Sequence, residues 1–407
     1  MFTEEILKKY ADVMIWGLET ARKSTGGVYK PGDVIFLSFD LDALALTEEI
    51  YAKLIARGMH VVTRLRNTPK MERDFYTLAN EEQLKFLAPW SSTMNENFNG
   101  LIGLEAPSSL THLAGIDPKR FATASLAAKP LMEIRDKREA AGEFGWTLSM
   151  MPTQALADQA KLSLREYAEE IVAACYLDED NPVAAWENLK RDAEEIKRWL
   201  LQLDINTLHI ESNNINLKVK VGDRRKWLGV SGHNIPSFEI FTSPDWRGTE
   251  GIYYSNMPSF RSGNLVKGVR LEFKAGEAIK VEAEEGEEFV RKQLEMDAGA
   301  RRLGEVSLTD KRFSPITKFM ANTLFDENVG GEDGNCHIAV GASFADTYAG
   351  DVYTGNTSDL SEEKKKELGF NDSALHWDLI NTEPKRVTAY MKAGASIVIY
   401  ENGKFRI

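Results

Sequence analysis

The chain has 407 residues, of which 43% are hydrophobic and 28% charged, and its formal net charge is -12. Its length exceeds the roughly 250 to 300 residues that one hydrophobic core usually organises, so we expect two domains. The acidic balance excludes a general binder of nucleic acid or of anionic membranes, since the surfaces of such proteins are basic. Only 2 cysteines occur, and no run of 18 apolar residues or signal-peptide core follows the charged start MFTEEILKKY. We therefore expect a cytoplasmic protein without disulfides.

The N-terminal half alternates helices and strands. A first helix is predicted from Thr3 to about Lys23, because apolar residues recur at helical spacing. The next predicted elements are a strand in KPGDVIFLSFD, a helix in ALTEEIYAKLIARG, strands in MHVVTRL and GLIGLEA, a helix in KPLMEIRDKREAAG and a strand in WTLSMM. Strand, helix, strand order predicts a parallel, doubly wound α/β sheet. Neither a G-x-G-x-x-G after the first strand nor a P-loop is present, so this half lacks the usual phosphate-binding loop.

The segment from Leu162 to Leu203 is predicted to be helical, with LSLREYAEEIVAACYL and AAWENLKRDAEEIKRWLLQL split by the turn DEDNP. Beyond it the second half has a different pattern, with the β-rich runs NTLHIE, INLKVKV, KWLGVSG, FEIFTSP and VRLEFKAGEAIKVEA. We therefore predict an α/β N-terminal domain over residues 1-203 and an α+β C-terminal domain over 204-407, with antiparallel strands and helices such as GEEFVRKQLEMDAGARRLG.

Candidate metal ligands lie in this second half. If NDSALHWDLI is a strand, His376 and Asp378 project from the same face, because side chains two apart do so. Each candidate taken singly also has a structural interpretation, such as an edge-strand charge or a core histidine. The full set consists of Glu239, Glu305, Glu327, His337, His376 and Asp378. Four carboxylates and two imidazoles suit two divalent cations about 3.5 to 4 Å apart, and imidazole favours zinc, cobalt or manganese.

Spacing alone does not show that these residues converge, but a resemblance does predict it. The segments NIPSFEIFTSP, DAGARRLGEVSL, NTLFDENVGGEDGNCHIAVG and NDSALHWDLI resemble, in this order, the M29 family of metallo-aminopeptidases, also called the aminopeptidase T and S family. The resemblance implies that the six residues are ligands of two metal ions. It also implies an N-terminal α/β domain, a C-terminal metal domain, a homodimer, and removal of amino-terminal residues from peptides. Glu305 falls between the other ligands and follows a glycine turn, so we expect it to bridge the ions or to assist as a base; the sequence does not separate the two roles.

The sequence departs from the family pattern at a proposed catalytic tyrosine, where Phe344 stands. Phenylalanine cannot donate to an oxyanion, and loss of one such donor typically costs about 10² to 10³ in turnover. Tyr348 would substitute only if its loop were reordered. The alternative is a metal-binding relative with weak or no peptidase activity; a weaker alternative is a hydrolase of another amide or ester.

Three further positions carry open interpretations. Glu332 lies five residues before His337 and is an alternative to Glu327 as the ligand. Phe238, next to Glu239, is expected to narrow the pocket. Arg301 and Arg302 either steer a substrate carboxylate or have structural roles.

Overall fold

The computed structural model describes residues 2–350 and 360–407, and the chain divides into two compact units. Unit 1 comprises Met1–Lys190, Val230–Ser237 and Met320–Leu324; unit 2 comprises Arg191–Gly229, Phe238–Phe319 and Phe325–Ile407. The chain passes from unit 1 to unit 2 between Lys190 and Arg191, within the helix Pro182–Gln202. The later segments Val230–Ser237 and Met320–Leu324 belong to unit 1 again. The domain boundary between 203 and 204 stays a prediction.

Unit 1 contains a parallel sheet with helices. Its strands are β1 Val34–Phe39, β2 His60–Leu65, β3 Gly100–Glu105 and β4 Gly145–Met150, in the spatial order β2-β1-β3-β4. The helices over this part of the chain are α1 Glu4–Ser24, α2 Leu44–Ala56, α3 Pro69–Leu78, α4 Glu81–Lys85, α5 Ser91–Asn97, α6 Pro118–Ala140, α7 Gln154–Ala160, α8 Leu164–Ala174 and α9 Pro182–Gln202. The strand order changes direction after β2, so right-handed crossovers place helices on both faces. The predicted doubly wound α/β fold is confirmed.

Local signals explain where these helices begin. Helix α1 starts as predicted, because the Thr3 hydroxyl accepts a hydrogen bond from the Ile6 N–H. Helix α6 starts earlier than predicted, at Pro118, with Asp117 as its cap. Our prediction was wrong there because Pro130 resembles a first-turn proline, whereas it lies inside the helix.

Unit 2 is dominated by antiparallel sheets, as predicted. Its strands are β5 Ile205–Glu211, β6 Asn216–Lys220, β7 Glu239–Thr242, β8 Glu250–Ser255, β9 Ser259–Arg261, β10 Asn264–Val266, β11 Val269–Lys274, β12 Glu277–Glu282, β13 Leu303–Thr309, β14 Asn335–Gly341, β15 His376–Asn381, β16 Arg386–Met391, β17 Ser396–Glu401 and β18 Lys404–Phe405. An eight-stranded sheet has the order β12-β11-β8-β6-β5-β16-β17-β18, a four-stranded sheet has the order β15-β14-β13-β7, and β9 and β10 form a hairpin. The remaining helices are α10 Glu287–Leu294, α11 Thr323–Asp326 and α12 Glu362–Glu367.

Two predicted elements of this region differ in the structure. KWLGVSG forms only an isolated bridge between Leu228 and Phe241, because Gly229 and Val230 have positive φ angles of 145° and 52° and interrupt the extended backbone. The helix predicted in GEEFVRKQLEMDAGARRLG ends at Leu294, and Leu303 already belongs to β13. In the part of the chain that the structure describes, no helix is long and apolar enough to cross a membrane.

Candidate metal centre

The four-stranded sheet of unit 2 presents the candidate ligands on one face. Antiparallel partners share a face, and so do alternate residues of one strand. His337 is paired with Ser307, and Ser307 shares its face with Glu305. The remaining cross-strand pairs are Thr309 with Glu239, Ala339 with Asp378 and Gly341 with His376. The register therefore brings side chains from β7, β13, β14 and β15 into a single cluster.

Small residues of β14 leave room for the ligands of β15. Ala339 and Gly341 lie opposite Asp378 and His376. Gly341 has a φ of +106°, and a Cβ atom there would lie 2.0 Å from the carbonyl oxygen of Leu375. Any other residue at this position would displace the start of β15, where His376 lies.

Glu305 lies between two imidazoles. Its Oε1 is 3.0 Å from Nε2 of His337, and its Oε2 is 3.8 Å from Nε2 of His376. Oε2 of Glu239 is 3.2 Å from Nε2 of His337, and Oδ1 of Asp378 is 3.5 Å from Nε2 of His376. The cluster thus consists of two groups of donors that share one carboxylate.

Glu327 belongs to this cluster, whereas Glu332 lies at the surface. Glu327 is buried, and Nδ2 of Asn328 lies 3.4 Å from its Oε1. Burial raises the pKa of Glu327 well above its ordinary value, and the charges of Glu239 and Asp378 raise it further. The side chain of Glu332 is exposed. The structure therefore places the first of the two alternatives beside the other candidate ligands.

The pKa values of the cluster are shifted because several carboxylates are buried close together. Burial, together with the charge of Glu239, raises the pKa of Glu305 to about 7. Burial disfavours the charged form of both imidazoles and by itself would lower their pKa. The neighbouring carboxylates have the larger, opposite effect, so the pKa of His337 is raised well above its usual range and that of His376 to about 9. Burial would raise the pKa of Asp378, but the neighbouring His376 lowers it to about 2. Without a metal ion, the imidazole protons thus provide the positive charge that offsets the carboxylates; a bound metal ion would provide that charge in their place.

The donor set fits a divalent metal ion. Nδ1 of His376 lies 2.9 Å from the carbonyl oxygen of Ala342, which can only accept, so Nδ1 donates. Nε2 is then the nitrogen on the side of the carboxylates that would bind a metal ion in exchange for its proton. Donor atoms of Glu239, Glu305 and His337 all lie within 4.8 Å of one another. Carboxylate oxygens and imidazole nitrogens are common ligands of zinc and similar ions.

Sequence reasoning missed three residues that support the candidate ligands. The Ser307 hydroxyl donates to Oε2 of Glu239 at 3.3 Å, and its position two residues from Glu305 on one strand was a usable signal. Asn328 directly follows Glu327, and its Oδ1 accepts the Phe238 N–H at 2.6 Å. Nη1 of Arg261 donates to the His376 carbonyl oxygen at 2.9 Å, and no local sequence pattern marked it.

Phe344 lies beside the cluster, and Tyr348 has other partners. The centroid of the Phe344 ring is 4.7 Å from that of the His376 imidazole. Tyr348 is buried with Leu368 and Phe370, and its hydroxyl oxygen accepts a hydrogen bond from Nη1 of Arg224 at 3.3 Å. The aromatic group next to the candidate ligands is therefore one without a hydroxyl.

Phe238, Arg301 and Arg302 are the other positions whose role the sequence left undecided. Phe238 is fully buried, and its narrowing of the pocket stays a prediction. Arg301 is paired with Glu295 at 3.0 Å and Arg302 with Glu277 at 2.9 Å. These ion pairs favour the structural interpretation of the two arginines.

Comparison with known proteins identifies the family. The sequence profile of the thermophilic metalloprotease family M29 matches residues 3–405. The chain belongs to the M29 family. Aminopeptidase 2 of Geobacillus stearothermophilus is 28% identical over 425 residues, covering 99% of this chain and 98% of that protein. Aminopeptidase AmpS of Bacillus subtilis (strain 168) is 29% identical over 399 residues, covering 92% of this chain and 94% of that protein.

A solved structure supports the fold. Wild-type AmpT from Thermus thermophilus is similar with a TM-score of 0.76, covering 98% of this chain and 99% of that chain at 23% identity. The predicted family is confirmed, and with it the predicted enzyme class, a metallo-aminopeptidase among the hydrolases. Membership of M29 also implies a divalent metal cofactor.

Proposed function

We propose that this M29 protein removes the amino-terminal residue from peptides with a free α-amine, using two divalent metal ions. The observation that carries the proposal is the position of Glu305, whose two carboxylate oxygens face His337 and His376. One carboxylate between two imidazole-containing groups is the arrangement expected of a bridging ligand. The aminopeptidase names of the relatives support the same activity.

The residues divide into two groups of ligands in this proposal. Glu239, Glu305 and His337 would hold one ion, and Glu305, His376 and Asp378 would hold the other. Glu327, which interacts with Glu239 and Asp378, would be a further ligand. Zinc, cobalt or manganese ions bound here would lower the pKa of a bound water and polarise the first peptide carbonyl. Glu305 would serve as the base for that water, and a carboxylate of the cluster would bind the α-ammonium of the substrate. All six residues lie in the proposed C-terminal domain, 204-407.

The test is metal-dependent release of an amino-terminal residue. We expect Glu305→Gln and His376→Ala to lower kcat by about 10² to 10⁴ with retained folding, because both change groups at the reaction centre. Glu332→Gln is the matched control, since that carboxylate is exposed, and Glu327→Gln should lose metal where Glu332→Gln does not. Metal content and circular dichroism accompany each assay. Equal activity in the wild type and the first two variants would refute the assignment.

A second candidate function is favoured by Phe344. Its ring packs against His376 where a hydroxyl would be needed to donate to an oxyanion. A metal-binding relative with weak or no peptidase activity would fit this feature. Metal-loaded protein that turns over none of a broad panel of dipeptides and aminoacyl reporters would establish this alternative, whereas turnover of any of them would exclude an inactive protein.

We further propose a homodimer located in the cytoplasm. Helix α3 supports the dimer, because none of its residues is buried and Met71, Phe75 and Leu78 form an exposed apolar stripe. The free, buried cysteines Cys175 and Cys336 are consistent with a reducing compartment. In sedimentation velocity we expect a dimer that Met71→Glu with Leu78→Glu dissociates, and that Lys70→Glu on the same helix leaves intact. A monomeric wild type would refute the dimer.

A further inference from the structure

Solvent reaches the candidate metal centre at His376. The side chain of His376 is 27% exposed, whereas those of Glu305 and His337 are 4% and 1% exposed. Asp378 and Glu239 are also less exposed than His376, at 13% and 9%. A peptide that approaches the cluster therefore first meets the groups around His376.

An apolar aromatic surface stands at this point. Phe344 is 40% exposed, and its ring packs against both His376 and Phe241, with a centroid distance of 5.6 Å to the latter. Phe241 pairs with Ser307 across the sheet, so it projects from the same face as the candidate ligands. Two phenylalanine rings thus border a cluster that otherwise consists of carboxylates and imidazoles.

The backbone of Phe344 is held in place. Its N–H donates to the Ser243 hydroxyl at 2.8 Å, and its carbonyl accepts from the Thr347 hydroxyl at 2.7 Å. The short helical turn Ala345–Thr347 follows directly. An exposed ring on a fixed backbone is suited to contact a ligand, because little conformational freedom is lost on binding.

We propose that Phe344, together with Phe241, forms the specificity surface for the side chain of the residue that is removed, and that it selects peptides with a large apolar first residue such as leucine or phenylalanine. This inference rests on the proposed aminopeptidase function. A substrate bound at His376 covers the exposed Phe344 ring. The apolar side chain of the substrate and the ring are then both removed from water, which favours binding. In a closed hydrophobic pocket one methylene is worth about 10- to 200-fold in discrimination. Because this surface is open, we expect a smaller gain per methylene and about tenfold in all between leucine and alanine.

The first experiment measures binding without turnover. Calorimetry of the zinc-loaded protein with the free amino acids leucine, phenylalanine and alanine should give about tenfold or tighter binding of the two large residues. Phe344→Ala should abolish this difference, Phe344→Tyr should keep it, and Tyr390→Ala, an aromatic residue 43% exposed in the same unit, should leave it unchanged. Equal binding of leucine and alanine by the wild type, or a difference that survives in Phe344→Ala, would overturn the inference.

The second experiment measures kinetics on leucyl and alanyl reporters. Phe344→Ala should lower kcat/KM about tenfold or more on the leucyl reporter, mainly through KM, and by less than about twofold on the alanyl reporter. An equal loss on both reporters, with lower metal content, would mean that Phe344 only positions His376, and would overturn the inference. If the binding preference is present but no reporter is hydrolysed, the specificity surface stands and the proposed peptidase activity fails.

Discussion

At the scale of single residues, the centre depends on buried groups whose protonation a metal ion would change. Glu305 is buried between two imidazoles, and its raised pKa reflects the cost of burying a carboxylate near Glu239. The protons on His337 and His376 offset that negative charge in the metal-free protein. A divalent cation would replace these protons, so metal binding and proton release are coupled.

We predict that stabilisation by metal increases with pH between about 5 and 9. The pKa of Glu305 is about 7 in the folded chain against an ordinary 4.5, and that of His376 is about 9 against 6.5. At these two groups the folded, metal-free protein thus binds more protons than the unfolded chain between pH 4.5 and 9, and the stability that they contribute falls as pH rises through that window. Asp378 acts with the opposite sign, but only between about pH 2 and 3.8.

Thermal unfolding with zinc and with chelator, at each pH, measures this effect. Metal affinity should rise about tenfold per pH unit for each proton displaced, so the difference in Tm should grow toward alkaline pH. In His376→Ala the pH dependence should be weaker by the one proton that His376 holds below about pH 9, because metal binding no longer displaces it. A Tm difference that is constant across the range would contradict the coupling.

At the scale of elements, the register between β14 and β15 positions the ligands. His376 faces Gly341 and Asp378 faces Ala339, so a shift of one residue would turn both ligands to the other face of the sheet. The glycine is required because its φ is positive and the Leu375 carbonyl lies where a Cβ atom would be. The same contact therefore fixes the strand pairing and the position of the first ligand of β15.

We predict that Gly341→Ala destabilises the protein by about 3 kcal/mol or more and weakens metal binding, because it adds a backbone clash to the left-handed strain. Gly394→Ala is the matched control: its φ is +88°, but no atom lies within 4 Å of the added Cβ. That control should cost only about 1 to 2 kcal/mol and retain full metal content. Urea unfolding and metal analysis measure both quantities. Equal effects of the two substitutions would show that the clash with Leu375 is relieved without cost.

At the scale of the whole molecule, the division into units separates the parallel sheet from the candidate ligands. The six residues all belong to unit 2, whereas β1 to β4 belong to unit 1. Ligand binding stabilises only the structure that unfolds with the loss of the site. Metal is therefore expected to act on one part of the chain.

We predict that chelation increases amide hydrogen exchange in β7, β13, β14 and β15 and leaves β1, β3 and β4 unchanged. Metal at 100 times its Kd stabilises the folded site by about 2.7 kcal/mol, which corresponds to roughly 100-fold slower exchange through local opening. Hydrogen-exchange mass spectrometry with and without chelator resolves the two sets of strands. Uniform acceleration over all of them would mean that the two units unfold together.

Much of the secondary structure was predictable from the sequence, because the spacing of apolar residues and the position of turn residues within a short segment favour a helix or a strand there. The strands of unit 1 and the β-rich character of VRLEFKAGEAIKVEA follow from apolar runs bounded by turn residues; the structure adds that this run forms the hairpin of Val269–Lys274 with Glu277–Glu282. KWLGVSG was predicted wrongly, because Gly229 was not taken as an interruption of the strand and nothing in the composition marks the positive φ angle of Val230. The start of α6 was missed because a proline inside a helix has the same local appearance as one at its beginning.

The candidate ligands were named from motif resemblance and the strand alternation of His376 and Asp378, both of which are properties of the linear chain. Their convergence, and the placement of Glu327 rather than Glu332 beside Glu239, depended on pairing across four strands from distant segments. The support from Arg261 and the packing of Phe344 on His376 were also visible only after folding. Local propensity acts over a few residues, whereas cross-strand register and burial are set by contacts between residues far apart in the sequence.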